Sequence, residues 1–224
     1  MLEASQERVL ARLSDGDLVL DVGGGASPFA RADWVLDLLP YEERRAVAGE
    51  RFGPESWVRR DICDREPWPF ADGRFDFAIC SHTLEDVRDP VWVCSELQRV
   101  ARAGYVEVPS RLEEQSWGVA GPWAGWSHHR WLIDVTESGI DFVMKPHALH
   151  GQEETHFPPG FHDGLSPEER VQQLWWEGSF AYRERIFADA EELSAYLAEP
   201  VEARGGAAPG WRKRRRLARI VSGG

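Results

Sequence analysis

The sequence predicts an α/β chain built on a doubly wound, mostly parallel sheet. Three observations carry this. Short apolar segments recur through residues 17–110, separated by helix-like or turn-rich stretches. Five of them end on glycine, acid or small polar residues rather than on further apolar ones. The first, Leu18-Val19-Leu20-Asp21-Val22, is opened by the turn Ser14-Asp15-Gly16 and closed by Gly23, Gly24 and Gly25, as suits a central strand buried on both faces.

Each element follows in order. Residues 3–13 set Val9, Leu10 and Leu13 among charges and read as an amphipathic helix leaning on the sheet. After the first strand, the three glycines reach backbone angles closed to other residues and let a ligand approach the main chain with no Cβ in the way. Asp21 is the polar residue of an apolar strand, so it either ties down the glycine turn or faces a ligand. Residues 33–37 form a second strand ending at Asp37. Only ten residues, 23–32, join the two, where a parallel crossover takes about a dozen or more, so its helix is cut to one turn or absent. A charged helical pattern covers 41–52, a third strand covers 57–62 and reaches Asp61 and Ile62, and 67–73 is a turn-rich loop. Residues 75–80 are the fourth strand, leading into Ser81-His82-Thr83-Leu84-Glu85. Asp89 and Pro90 open a helix over 90–102, and 104–109 is the fifth strand. Ligands of such sheets bind beyond the carboxyl ends of the strands, which is where the glycines, Asp37, Asp61, Ser81-His82 and Pro109-Ser110 fall.

On these residues the sequence resembles the class I S-adenosylmethionine-dependent methyltransferases, the type 11 small-molecule group in particular. The matching residues are Val19-Leu20-Asp21-Val22-Gly23-Gly24-Gly25, Asp37, Asp61-Ile62, and the run from Pro69 through Phe75-Asp76 to Ser81-His82-Thr83-Leu84-Glu85, which is similar to the family's P-F-x-D-x-x-F-D…S-H-x-L-E-H. The resemblance covers about half the chain. It departs in the short first crossover and at Asp86, which stands where the family's pattern has histidine. It implies a Rossmann-like fold with a C-terminal β-hairpin and a helical and loop lid. It also implies S-adenosyl-L-methionine as cofactor. Asp21, Gly23, Gly24 and Gly25 would hold the methionine part, and Asp37, with Leu38 beside it, the ribose hydroxyls. Asp61 would take the adenine amino group with Ile62 against the ring, and Ser81 and His82 would line the sulfonium end.

Beyond strand five the family pattern fades. Residues 111–127 read as a tryptophan-rich loop that either packs as a lid or cages a substrate. Residues 128–135 and 140–144 form a hairpin turning at 137–139, placed at the end of the sheet. Ser166 and Glu169 make a capping box for a helix carrying Trp175, Trp176 and Phe180. A last amphipathic helix covers 191–197. Residues 1–202 are thus read as one domain, with a cofactor half over about 14–110 and a substrate and lid half over about 111–202, followed by a linker and basic tail over 203–224. His147 and His150 have a spacing that can ligate a metal on a helix, but Pro146, Gly151 and the lack of a CxxC or HExxH motif argue against it, and no metal is expected. The catalytic candidates are His82 at the cofactor end, His129 from the lid side, and Glu107, which is either catalytic or a structural hydrogen-bond acceptor within strand five.

Composition narrows the function. The chain has 224 residues, 42% hydrophobic and 29% charged, with net charge −12. The tail 211–224 holds six basic side chains and no acid, so the rest stands at −18 (20 basic against 38 acidic side chains). An acidic body repels polyanions and argues against nucleic acid as a partner. No run approaches the about 20 apolar residues of a membrane span. Three unpaired cysteines and the lack of a signal-peptide pattern point to a reducing cytoplasmic setting. The expected activity is methyl transfer to an oxygen or nitrogen of a small molecule, such as a natural product. The rivals are a nicotinamide-dependent oxidoreductase, disfavoured because Pro28 occupies its third glycine position, and a scaffold that keeps the fold without catalysis. Oligomeric state is not legible.

Overall fold

The computed structural model describes residues 1–25 and 27–205. The linker and basic tail read from the sequence lie, from residue 206 on, outside the described residues. Helix α1 (Glu3–Arg12) precedes β1 (Val19–Val22) and β2 (Trp34–Asp37). Then follow β3 (Trp57–Arg59), β4 (Phe77–Ser81), α2 (Pro90–Val100), β5 (Ala103–Pro109) and α3 (Arg111–Glu114). The second half holds β6 (Trp131–Val135), β7 (Gly139–Met144), α4 (Ala148–Gly151), β8 (Val171–Glu177), β9 (Ala181–Glu184) and α5 (Ala190–Ala203). The main sheet has the order β3-β2-β1-β4-β5-β8. Its first five strands are parallel and β8 runs antiparallel to β5. The α/β, Rossmann-like, mostly parallel sheet expected from the sequence is the observed one.

Alternation along the strands explains the two layers of core. Val19, Val35, Phe77, Ile79 and Tyr105 face α1, packing on Val9. Leu20, Leu36, Ala78, Cys80, Val106 and Val108 face the other way, onto Val93, Cys94, Leu97 and Val100 of α2. Helix α2 starts where the sequence says: the Asp89 carboxylate accepts the Trp92 N–H at 3.0 Å and Pro90 occupies the first turn. Among the described residues it is the one α-helix in a crossover between the parallel strands of the main sheet. The β1–β2 connection has none, and Phe29 and Ala32 fill the core in its place. The helical pattern over 41–52 yields only a single 3-10 turn, Tyr41–Glu43. The β3–β4 loop plugs the opposite face with Trp68 and Phe70, held by the Glu96 carboxylate, which accepts the Trp68 N–H at 2.6 Å.

The second half departs most from expectation. The Ser166–Glu169 capping box forms, with the Ser166 N–H donating to Glu169 at 3.0 Å, but it opens only a turn. Trp175 and Trp176 then lie on strand β8, not on a helix. Pairing with β5 decides this: seven residues of each strand are in register, from Ala103 opposite Glu177 to Pro109 opposite Val171. The hairpin β6–β7 is also real but is not at the end of the main sheet. With β9 it makes a separate three-stranded sheet. Trp131, Ile133, Ile140 and Phe142 pack toward the α2 side of the main core, and Leu132 and Val143 pack on Leu149, Tyr196 and Leu197. The stretch 111–127 begins with the short helix α3, and a short helix, α4, does form beside His147.

Helix α5 outruns the expected 191–197 by continuing through Pro200 to Ala203. A proline has no N–H for the carbonyl four residues back. That carbonyl belongs to Tyr196, and the Arg111 guanidinium donates to it at 2.9 Å instead. The Arg111 side chain, itself buried, also reaches Asp134 on β6 at 3.2 Å, so one residue joins α3, β6 and α5.

Candidate active site

The carboxyl ends of β1, β2, β4 and β5 converge on one rim. At the end of β1, the Gly23 N–H donates to Leu36 O of β2, and φ is +72° at Gly23 and +55° at Gly25. A Cβ on Gly23 would collide with the Thr83 side chain, and one on Gly24 would lie 2.5 Å from an Asp21 oxygen. Only glycine lets this loop close so tightly. Asp21 is buried, and its carboxylate accepts the Phe29 N–H at 2.7 Å, fixing the far side of the loop. Burial pushes its pKa up to about 6, against the lowering effect of the Phe29 N–H and with help from the charge of Asp37. Asp37 spans loop and rim: one oxygen accepts the Gly25 N–H at 2.8 Å and the other the Leu39 N–H at 2.6 Å.

A cavity of about 510 Å³ opens beside this loop, lined by Gly23, Gly25, Asp37, Leu38, Asp61, Ile62 and His82 among others. Asp61 lies just past β3, where its carboxylate accepts the Cys63 N–H at 2.9 Å and pairs with Arg88 at 2.5 Å. The Arg88 hydrogen bond holds its carboxyl below the usual range. A second cavity, of about 460 Å³, is lined by Asp21, Gly23, Gly24, Gly25, Ser81 and His82, with Gln6 of α1 over it. A third, of about 420 Å³, is lined by His82, Glu85, Asp86, Glu113, Trp126, His128 and His129. His82 borders all three.

His82 is held in an unusual place. Its φ is +51°, its N–H donates to Glu107 O at 2.9 Å, and its ring lies between two acids, Nδ1 3.3 Å from Glu85 and Nε2 3.2 Å from Glu107. Partial burial lowers its proton affinity, but the two carboxyl groups outweigh this and raise its pKa to about 9. Glu107 is fully buried on β5. Burial works against its charge, yet His82 and the Tyr105 hydroxyl, at 2.5 Å, bring its pKa down to about 2. The Leu2 N–H at 3.0 Å, the Ser81 hydroxyl at 3.4 Å and the Met1 ammonium at 3.4 Å also reach it. Because the folded-state pKa of His82 lies above its ordinary 6.5, the pairing is fully present below that value and is lost as pH rises through about 9. The His82 ring is therefore expected to titrate near 9 when followed by proton NMR, and in Glu107→Gln to titrate at a lower pH. A wild-type midpoint at 6.5 would mean that the ion pairs do not form in solution.

The lid side supplies His129. Its Nδ1 lies 2.5 Å from Glu114 of α3, which is 1% exposed and takes Lys145 Nζ of the β7 end on its other oxygen at 2.7 Å. The segment is docked on the loop after β4 by two bonds, Arg130 N–H to Glu85 O at 2.6 Å and Trp131 Nε1 to Val87 O at 2.8 Å. Asp21, Asp37, Asp61 and the glycines line the two cavities on one side of His82, and His129 lines the third on the other, whereas Glu107 is buried beside His82 and lines none of the three. Sequence reasoning missed Glu114, Glu113, Asp86 and His128, which come from α3 and two loops. Of the His147–His150 pair, His150 Nδ1 accepts the Ala124 N–H at 3.2 Å.

A family model described as a methyltransferase domain matches residues 20–106. That segment runs from β1 to β5 and contains the glycine loop, Asp37, Asp61, Ser81 and His82. No curated protein matches the chain. An S-adenosylmethionine-dependent methyltransferase from Mesorhizobium loti is 16% identical over 62% of either chain, with a TM-score of 0.38. An S-adenosylmethionine-dependent methyltransferase from Aquifex aeolicus is 21% identical over 47% of this chain and 64% of its own, with a TM-score of 0.36. The YcgJ protein from Bacillus subtilis is 21% identical over 49% and 52%, with a TM-score of 0.39. Across such structures this chain spans from 49% to 68% of the other's length. The family rests on the matched segment. Over residues 20–106 the chain matches the methyltransferase domain family, which implies S-adenosylmethionine as the cofactor.

Proposed function

We propose that this protein transfers a methyl group from S-adenosylmethionine to an oxygen or nitrogen of a small molecule. The observation that carries this reading is the position of His82, at the meeting point of two cavities suited to the cofactor and a third, lined by Glu85, Asp86, Glu113, Trp126, His128 and His129, suited to an acceptor. When bound, S-adenosylmethionine supplies an electrophilic methyl group on a sulfonium. The residues fit that group. Gly23 and Gly24 admit no Cβ, whereas a Cβ on Gly25 would meet nothing nearer than 3.8 Å, so the loop is closed beneath and open toward the ligand. Asp37 keeps lone pairs for ribose hydroxyls beyond those used on Gly25 and Leu39. Leu38, Asp61 and Ile62 form the wall for adenine, and Asp21 with Gly23, Gly24, Gly25 and Ser81 takes the methionine end.

The chain's own chemistry is mostly placement and exclusion of water. His82 carries its proton at neutral pH, so it serves as a donor and an organising cation rather than as a base. Glu85 and Glu107 both face that cation, and the Met1 ammonium lies 3.4 Å from Glu107 as well. Glu107 acts through His82 and is a positioning residue. His129 gives its Nδ1 to Glu114 and keeps Nε2 for the acceptor side. Calorimetry with S-adenosylhomocysteine is expected to show binding of one equivalent to the purified chain. A folded protein that binds none would overturn the reading. Acceptors are then screened by S-adenosylhomocysteine release.

A further inference from the structure

The acceptor-side cavity holds a set of side chains that methyl transfer alone does not require. Asp86, from the loop after β4, and His128 and His129, from the segment before β6, each bring a potential ligand atom within 4.8 Å of the others. His129 Nε2 lies 3.9 Å from Asp86 Oδ1, and the rings of His128 and His129 stand edge to face, 4.5 Å between centroids. Two imidazoles and one carboxylate on one side of a point suit a transition metal such as zinc or iron(II) better than magnesium or calcium, and leave coordination positions open.

A second observation points the same way. The imidazole of a metal ligand ordinarily gives its other nitrogen to a carboxylate that fixes its tautomer. Glu114 stands in that relation to His129. It is buried, accepts at Nδ1 with one oxygen, and is held by Lys145 on the other, while Lys145 also donates to Trp126 O at 3.1 Å. This directs the Nε2 lone pair toward Asp86. Asp86 and His82 also line the cavity assigned to the adenosyl group, so the three-residue set lies beside the place where the methyl group would be presented.

We propose that Asp86, His128 and His129 bind a divalent transition-metal ion whose open positions take an oxygen donor of the acceptor. This rests on the methyltransferase reading for its role and narrows the acceptor to a molecule with a ligating hydroxyl, such as a catechol or a hydroxy acid. The ion lowers the proton affinity of that hydroxyl, and its proton goes to solvent. The oxygen lone pair then forms the bond to the methyl carbon as the carbon–sulfur bond breaks, its electron pair passing to sulfur to leave neutral S-adenosylhomocysteine. In this arrangement the ion, not an imidazole, activates the acceptor, which agrees with a His82 that already holds its proton.

The test uses the full chain stripped with a chelator, then titrated with ZnCl2 by calorimetry and with CoCl2 by visible absorption. One equivalent is expected, with affinity at least about tenfold lower in Asp86→Asn and in His128→Ala. Both side chains are exposed, so neither change threatens folding. No stoichiometric binding, or binding that neither substitution weakens, overturns the proposal. S-adenosylhomocysteine binding is measured on the same wild-type and His128→Ala preparations. Cofactor binding without metal binding sinks the metal site and leaves the methyltransferase reading in place. Metal binding without cofactor binding sinks that reading and the acceptor role, and leaves a metal site of another purpose.

Discussion

Lys145→Met is expected to lower the stability of the fold by about 3–5 kcal/mol. Lys145 is 7% exposed and its partner Glu114 1% exposed, with Nζ 2.7 Å from the carboxylate. Removing the cation leaves a buried carboxylate facing only an imidazole, and that desolvated charge, rather than the lost attraction, accounts for the size of the effect. For a chain of this length the melting temperature falls by about 6–20 °C. The double variant Glu114→Gln/Lys145→Met should recover part of the loss, because it removes the stranded charge as well. Thermal unfolding at neutral pH followed by circular dichroism decides this. A drop below about 1 kcal/mol in the single variant would mean that water reaches the pair. The pair also matters beyond stability, because it joins α3 and β7 beneath His129 and so sets where that ring points.

How far the sequence reveals the fold depends on how local the deciding interactions are. The central strands are legible because each is largely apolar and stops at a glycine, an acid or a small polar residue. The Asp89-Pro90 helix start is legible because cap and first turn lie next to each other in the chain. The strand β8 is not. Its local signal is the Ser166–Glu169 capping box, which forms and promises a helix, whereas its conformation is set by the pairing partner β5, about 70 residues earlier. Its faces do alternate, with Gln172 donating to Ile133 O of β6 and Gln173 to Ser5 of α1. The doublets Gln172-Gln173 and Trp175-Trp176 hide that period. The failure at 41–52 has a different origin: its core contacts, Tyr41 and Phe52, stand at its two ends with charged residues between them, and only the turn at Tyr41–Glu43 forms.

The candidate site divides along the same line. Gly23, Asp37, Asp61 and His82 lie at strand ends, and strand ends of a parallel sheet share one rim whatever the loops do. Asp86 and His128 are brought together only by the docking of Arg130 on Glu85 and Trp131 on Val87. Two traces of this were present in the sequence, the His128-His129 doublet before a strand and the acid in place of the family's histidine at Asp86. Neither says that the two loops meet. Pro200 within α5 is a third case, since the helix tolerates it only because Arg111, 89 positions away, supplies the missing donor to Tyr196 O.

Asp37→Ala is expected to weaken S-adenosylhomocysteine binding about 10- to 150-fold. A hydrogen bond to a charged group contributes about 1.5–3 kcal/mol, and each 1.4 kcal/mol is a factor of ten in affinity. Two effects combine at this residue. The carboxylate stands at the end of β2 on the rim of the 510 Å³ cavity, where it can accept from ribose hydroxyls. It also accepts the Gly25 N–H at 2.8 Å and the Leu39 N–H at 2.6 Å, so it holds the glycine loop that shapes the cavity. Asp37→Asn separates the two. Its amide oxygen can still accept one backbone N–H, but its NH2 cannot accept a second, and the charge is gone. If ribose recognition dominates, calorimetry will find Asn nearly as weak as Ala, with the melting temperature of the unliganded protein little changed. If loop closure dominates, Asn will retain much of the affinity and Ala will melt measurably lower. An Asp37→Ala protein that binds S-adenosylhomocysteine as tightly as the wild type would move the ribose away from β2 and require a different pose for the cofactor.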